Sequence, residues 1–205
     1  ESIIYLAFLT SHRVTNNQPL IALGNEQAII RTEIAREDRT LHVDLEINLN
    51  KANRARLNQN PTRSQREILG ACQVIYFSPE DLDLVRGEPG TRRDFLDRLL
   101  ITRTPRLAGV IADYERVVKQ RNALLKTRTS AAALAPWNEQ LIKLGAELTA
   151  ERIALIDALN QHVAHNYANL NEVKPASISY KCSTEGVTRN IEENITALTA
   201  RLDEV

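Results

Sequence analysis

From residue 39 the chain alternates. In "RTLHVDLEINL", Leu41, Val43, Leu45, Ile47 and Leu49 fall on one side and His42, Asp44, Glu46 and Asn48 on the other. That period of two buries one face of a strand and wets its reverse. Residues 28–35 are apolar enough for a second strand, and "REDR" at 36–39 supplies a charged turn, so an antiparallel hairpin is expected. "NRARLNQ" (53–59) predicts a third strand with Arg54 and Arg56 on one face and Ala55 and Leu57 on the other. "CQVIYF" (72–77) is apolar throughout and reads as an inner strand. Ahead of these, "ESIIYLAFL" predicts an amphipathic helix and "VTNNQPLIALGNEQ" a polar loop.

Past residue 78 the apolar period lengthens to that of helices. Ser78-Pro79-Glu80-Asp81 carries a helix start, with Ser at the N-cap, Pro at the first position and acids in the first turn; Gly87 is the stop. Thr91 and Asp94 form a second capping box ahead of "RRDFLDRLLITR". Thr104-Pro105 opens a longer helix whose apolar positions, Leu107 to Leu125, keep heptad spacing interrupted by Arg121. After a loop, "TRTSAAALA", a similar seam runs from Trp137 to Leu170, so two long helices form an antiparallel hairpin. "SISYKC" (177–182) predicts a returning strand, and "IEENITALTARLDEV" a final helix with an acidic surface.

Composition sharpens this outline. Among 205 residues, 43% are apolar but only 4% aromatic, so the core must be aliphatic. No apolar run of about 18 residues spans a membrane, and no charged-then-apolar leader opens the chain. Cys72 and Cys182 are far apart in apolar runs and read as thiols of a reducing cytosol, so a cytoplasmic location is expected. There is no methionine, and the opening helix has no N-cap before it, so the chain is expected to be cut from a longer one.

The zero formal net charge hides segregation: residues 51–66 hold Lys51, Arg54, Arg56, Arg63 and Arg66 and no acid. Arginines at alternate strand positions project guanidiniums about 7 Å apart, near the phosphate spacing of a nucleic-acid strand. The same arginines also suit a solvated outer sheet face. No phosphate loop, nucleophile elbow or zinc-spaced Cys/His cluster is present, so no catalytic residue is assigned. His162 and His165 lie three apart on one helix, but no third ligand accompanies them and no metal site is assigned. In "FSPEDLDLVRGEPGTRRDFLD" the acids at a helix start and the arginines past a tight turn suffice as folding signals. A strand ending in a carboxylate loop is also where α/β nucleotide-binding lobes place ligand contacts.

Three motifs carry a resemblance. "FSPEDLDLVRGEPGTRRDFLDRLL" resembles the segment that marks the RecF family of recombinational DNA-repair proteins. "YERVVKQRNALLK" with "PWNEQLIKLGAEL" is similar to that family's helical arm, and "ESIIYLAFLTSHR" to the helix after its Walker A loop. The resemblance implies a mixed α/β fold: the β-rich part of an ABC/SMC-like P-loop ATPase head plus an antiparallel helical arm. Residues 1–90 would be head lobe, 91–175 arm, and 176–205 a return strand and helix toward the rest of the head. It implies binding of ATP and Mg²⁺, an ATP-dependent homodimer, DNA binding at gaps or junctions, and work with RecO and RecR in loading RecA. Replication-fork maintenance and the SOS response belong to the same implication. Walker A is expected to lie before Glu1, and the signature and Walker B beyond Val205, so hydrolysis by these residues alone is not expected.

Residue by residue, Glu80 resembles the Q-loop position of SMC-like heads, and Arg13 the arginine after the Walker A helix. Lys51, Arg54, Arg56, Arg63 and Arg66 become DNA-backbone candidates. Asp81, Gly87, Arg92, Arg93 and Asp97 would form the hinge from lobe to arm, with Arg92 and Arg93 pairing Asp81 or Asp83. Two other readings stay open: a helical protein-interaction module that binds neither DNA nor nucleotide, and another SMC-like head such as RecN, whose coiled coil is much longer.

Overall fold

The computed structural model describes residues 1–36, 39–127, 130–170 and 175–203. They form two compact units, Glu1–Pro105 and Arg106–Val205. No helix among the described residues is long and apolar enough to cross a membrane.

The first unit is built on a four-stranded antiparallel sheet in the order β1 (Gln27–Arg36), β2 (Arg39–Asn48), β3 (Arg54–Leu57), β4 (Asn60–Pro61). The hairpin expected from the alternation is there, with Leu45 opposite Ile30 and Asp44 opposite Arg31. The charged turn expected at 36–39 falls on residues 37 and 38, which lie outside the described residues. The inner face buries Val43, Leu45, Ile47 and Ala55 against Tyr5 and Leu6 of α1 (Ser2–Phe8) and against Ile68. At about 25 cal/mol per Å² of apolar surface, that face is what holds the sheet together. α1 departs from the amphipathic expectation, because Ile4, Tyr5, Leu6 and Ala7 are all buried in succession. α3 (Pro89–Arg103) packs on α1 and buries Leu96 and Leu100.

The third strand ends two residues earlier than its apolar pattern suggests. Asn58 and Gln59 both take positive φ, 50° and 67°, which is the pattern of a type I′ turn. Asn58 makes this turn tolerable: its Oδ1 accepts from the His42 amide at 3.0 Å. The turn sends the chain back along β3 as β4.

Residues 72–77 are not a strand. Cys72 forms one isolated bridge to Leu69, and residues 73–77 join no ladder among the described residues. Ile75 is 94% and Phe77 81% exposed. An apolar run becomes an inner strand only where neighbours exist on both sides, and among the described residues none flanks it. The same holds for 177–182, which joins no ladder among the described residues; Ile178 and Tyr180 are half-buried, and Ile178 donates its amide to Asn160 Oδ1 at 2.9 Å.

The second unit consists of α4 (Leu107–Lys126), α5 (Ala131–Leu170) and α6 (Ile191–Asp203). α4 and α5 run antiparallel: Arg106 meets Glu147 at 2.6 Å and Glu151 at 3.4 Å, while Arg121 Nε meets Asn138 Oδ1 at 2.7 Å. The break in the heptads at Arg121 is thus answered by a side chain of the facing helix. α5 begins five residues before Pro136, inside the segment expected to be a loop, because its alanines are the strongest helix formers. Pro136 is the sixth residue of α5, past the first turn, so the helix runs through it at the loss of the one bond an N–H there would have made to the carbonyl of residue 132. Asn194 of α6 is wholly buried yet satisfied: Nδ2 donates to the Ala146 and Thr188 carbonyls, and Oδ1 accepts from the Thr188 amide.

Candidate nucleic-acid interface and nucleotide-proximal cluster

The outer face of the sheet follows from the register. Arg31, Asp44 and Arg56 lie in one row across β1, β2 and β3, and Ile29, Glu46 and Arg54 in the next. Directly opposed residues stand about 5 Å apart, and successive residues on one face about 7 Å. Because β4 folds back, Thr62 is tied to β3 by its amide and hydroxyl, both donating to the Ala55 carbonyl at 3.0 and 3.1 Å. This brings Arg63 beside Arg54 and Arg56 in an open cleft of about 650 Å³. Arg31, Asp44, Glu46 and Gln65 also line it, and the Gln65 Oε1 is buried without a partner. Four guanidiniums therefore face two carboxylates. Among the described residues, Arg54 and Arg56 make no ion pair within 4.0 Å, so both keep their donors for a ligand.

An amide network beneath the face holds the β2–β3 connection. Asn53 Oδ1 accepts from the Asn48 amide at 3.0 Å and Asn17 Nδ2 at 3.3 Å, and its Nδ2 donates to Tyr5 Oη at 3.1 Å. Tyr5 Oη in turn donates to Asn17 Oδ1 at 3.0 Å. Burial pushes the Tyr5 phenol above its usual value, partly offset by Asn53. These contacts set where Arg54 leaves the loop.

Of the five basic residues named from the sequence, Arg54, Arg56 and Arg63 share the cleft. Lys51 is exposed in the β2–β3 loop and Arg66 in the 3₁₀ turn Gln65–Ile68; neither lines it. Arg31 escaped the sequence reading, as did the acids between the arginines. The hairpin register could have found all three, since it sets Arg31 opposite Asp44 once the turn length is assumed.

The second cluster gathers Arg13 and Glu80. Arg13 Nε donates to His12 Nε2 at 3.1 Å, and the His12 ring packs on Tyr76 with centroids 4.8 Å apart. His12 Nδ1 lies 3.1 Å from Glu1 Oε2, without hydrogen-bond geometry. Ser11 Oγ donates to Glu1 Oε1 at 2.6 Å. Burial pushes the Glu1 carboxyl up, but Ser11, His12 and Arg13 together hold it below its ordinary value. The Glu80 carboxyl is held low by the Ser78 hydroxyl first, then by its own backbone amide, Arg13 and His12. Arg13 Nε also lies 3.9 Å from Glu1 Oε2, and its charge reaches the exposed Glu80 carboxylate just past segment 72–77. That donor set fits a nucleotide phosphate on Arg13 and a single metal or water contact on Glu80. Among the described residues no group of three His, Cys, Asp or Glu side chains could hold a metal by itself.

The candidate hinge has its own contacts. Asp81 Oδ2 accepts from the Ser78 amide at 2.7 Å, the cap expected of "SPED". A 3₁₀ turn, Pro79–Leu82, leads into α2 (Asp83–Arg86), which Gly87 ends. A Cβ on Gly87 would sit 2.6 Å from the Asp83 carbonyl oxygen, so only glycine fits. Arg92 does not pair with Asp81 or Asp83. Its Nη1 donates to the Leu84 and Gly87 carbonyls at 3.2 and 3.0 Å, because the free carbonyls of a four-residue helix need donors more than an already capped Asp81 does. α3 starts at Pro89 with Glu88 at its N-cap, so Thr91 lies in the first turn instead of capping it. Proline's fixed φ favours that earlier start. Arg93 is exposed and Asp97 half-buried on α3.

No protein-family model matches the chain. Curated proteins named DNA replication and repair protein RecF do match it. Those of Paenarthrobacter aurescens and Streptomyces avermitilis are both 44% identical over 91% of this chain, covering 49% and 53% of their own lengths. The one from Rhodococcus erythropolis is 44% identical over 89% of the chain and 48% of its own length. The chain spans about half the length of the relatives it matches. Among solved structures, the recombination mediator protein RecF-ATPrS in the RecFOR pathway superposes over the whole chain with a TM-score of 0.91. It is 21% identical, and 56% of that chain is covered. The RecF-ATP form of that protein gives a TM-score of 0.79 at 20% identity. In fold the chain corresponds to part of that RecF structure, and in sequence it is a partial match to proteins of the RecF family, over about half their length.

Proposed function

We propose that this chain is the DNA-contacting and nucleotide-sensing portion of a RecF-type protein of DNA replication and repair, acting at single-strand gaps. The observation that carries the reading is the gathering of Arg54, Arg56 and Arg63 around one open cleft, supported by relatives named for DNA replication and repair. Guanidiniums without bound carboxylates suit phosphate oxygens and read no sequence. Lys51 and Arg66 flank the cleft as outlying contacts.

On the same reading, Arg13 holds a nucleotide phosphate and Glu80 orients a water or a ligand of the metal. Bound ATP supplies the γ-phosphate whose presence the pair would register; Mg²⁺ would take its remaining ligands elsewhere. The link from Glu80 through Asp81, Gly87, Arg92, Arg93 and Asp97 passes that state toward the arm. Residues 1–90 then serve as head lobe, 91–175 as arm, and 176–205 as the way back to the head. An ATP-dependent homodimer, RecO and RecR as partners, RecA loading, the SOS response and a cytoplasmic location complete the proposal. It is supported by likeness to a recombination mediator of the RecFOR pathway.

Duplex and gapped oligonucleotides titrated against this chain by fluorescence anisotropy across a salt series test the DNA part. Binding that weakens steeply with salt agrees with it; salt-independent or absent binding favours a helical interaction module. In a full-length relative-sized protein, Glu80→Ala should weaken ATP-dependent dimerisation or DNA binding, and unchanged behaviour in both would remove the nucleotide role.

A further inference from the structure

The basic face is not uniformly basic. β2 runs through its middle, and both outward residues at cleft height, Asp44 and Glu46, are acids. Asp44 stands directly between Arg31 and Arg56, and Glu46 opposite Arg54. Both are half-buried, so each carboxylate acts through the sheet surface with less solvent screening than a free side chain. A phosphate chain laid across the sheet would meet a negative rib between β1 and β3. Laid along β3 and the 62–65 segment, it meets Arg54, Arg56 and Arg63 and no acid.

We infer that Asp44 and Glu46 determine how DNA lies on this face: they confine its backbone to the β3 rim, hold Arg31 out of contact and set the affinity below what four arginines would give. This rests on the DNA reading of the cleft and adds to it a track and a built-in attenuation. The acids also relieve repulsion among the arginines, and their removal raises the positive potential in any case; a track is distinguished by the salt slope, which steepens only if Arg31 gains a phosphate. Weak, backbone-only contact suits a protein that must release DNA once its task is done.

The amides Asp44→Asn and Glu46→Gln keep shape and polarity, so the test uses this chain with both changes, with Asp44→Asn alone, and with Arg54→Ala plus Arg56→Ala. Each is titrated with a 20-base-pair fluorescent duplex of mixed sequence over a salt series, after thermal denaturation has shown matching melting. Removing one carboxylate about 7 Å from a phosphate should tighten binding about threefold, and removing both about tenfold. The slope of log K on log salt should steepen by about one unit as Arg31 gains a phosphate. Asp44→Asn alone should give about a threefold gain and most of the slope change, because Asp44 is the acid opposite Arg31. If the arginine variant binds more weakly while the amide variants match or fall below the wild type, the acids do not set the track and the inference fails. If the arginine variant also binds as the wild type does, the DNA reading itself fails, and the inference with it.

Discussion

Arginines serve opposite purposes on the outer sheet face and in the helical unit. In the helical unit they close contacts: Arg106 on Glu147 and Glu151, Arg116 on Asp113, Arg121 on Asn138, Arg189 on Asp157. On the outer sheet face Arg54 and Arg56 stand opposite acids at strand spacing yet reach no ion pair within 4.0 Å among the described residues. A β-strand places its side chains upright, and the acids at the middle of β2 attract the arginines without capturing them. A helix hairpin instead brings long side chains across the seam, where they close. The difference separates residues that hold the fold from residues left to a ligand.

The largest effect should come from beneath the sheet face. Asn53→Ala removes three hydrogen bonds and leaves Tyr5, Asn17 and the Asn48 amide short of partners, so chemical denaturation should show a loss of about 2–3 kcal/mol. DNA affinity should fall with it, because the loop that launches Arg54 loses its anchor. A smaller change of opposite sign is expected at the type I′ turn. Gln59 sits at φ 67°, and Gln59→Gly should raise stability by roughly 0.5–1 kcal/mol in the same assay.

Smaller still is the comparison of the arginines themselves. Arg106→Ala should lower the melting temperature, since both Glu147 and Glu151 lose their partner, whereas Arg54→Ala should leave it unchanged. Equal shifts for the two would erase the distinction between the units. The least effect concerns pH. The folded carboxyls of Glu1 and Glu80 are held below the ordinary 4.5, so their contribution is complete above that value and is lost as pH falls through the lowered one. Stability measured down an acid series should therefore decline less in Glu80→Gln than in the wild type, while DNA binding stays level between pH 5 and 8, where arginine does not titrate.

Much of this was legible from alternation alone. The β1–β2 hairpin, the two faces of β3 and the antiparallel long helices all follow from apolar spacing, which reports directly on burial. What the pattern missed depends on partners or on single backbone angles. The Asn58-Gln59 turn carries no glycine, so nothing advertised the left-handed backbone that folds Arg63 back onto the cleft. Segment 72–77 has the composition of an inner strand, but composition cannot supply the neighbours that would make it one. The proline outweighs the alanines before it in the local pattern, although α5 runs through Pro136. Arg31 and the acids of β2 needed the register, a long-range quantity. The tie between Arg13 and Glu80 came from likeness to a family, since 66 residues of chain lie between them and no local pattern connects them.

The proposed reading reserves Arg54 and Arg56 of β3 for phosphate. It is tested most directly by the salt dependence of duplex binding in three proteins: the wild type, Arg54→Ala with Arg56→Ala, and Arg106→Ala with Arg189→Ala. Three backbone contacts predict a slope of log K on log salt of about −2.7 for the wild type, shallower by about 1.8 in the sheet variant and unchanged in the helical one. A slope that drops in the helical variant and holds in the sheet variant would contradict the account.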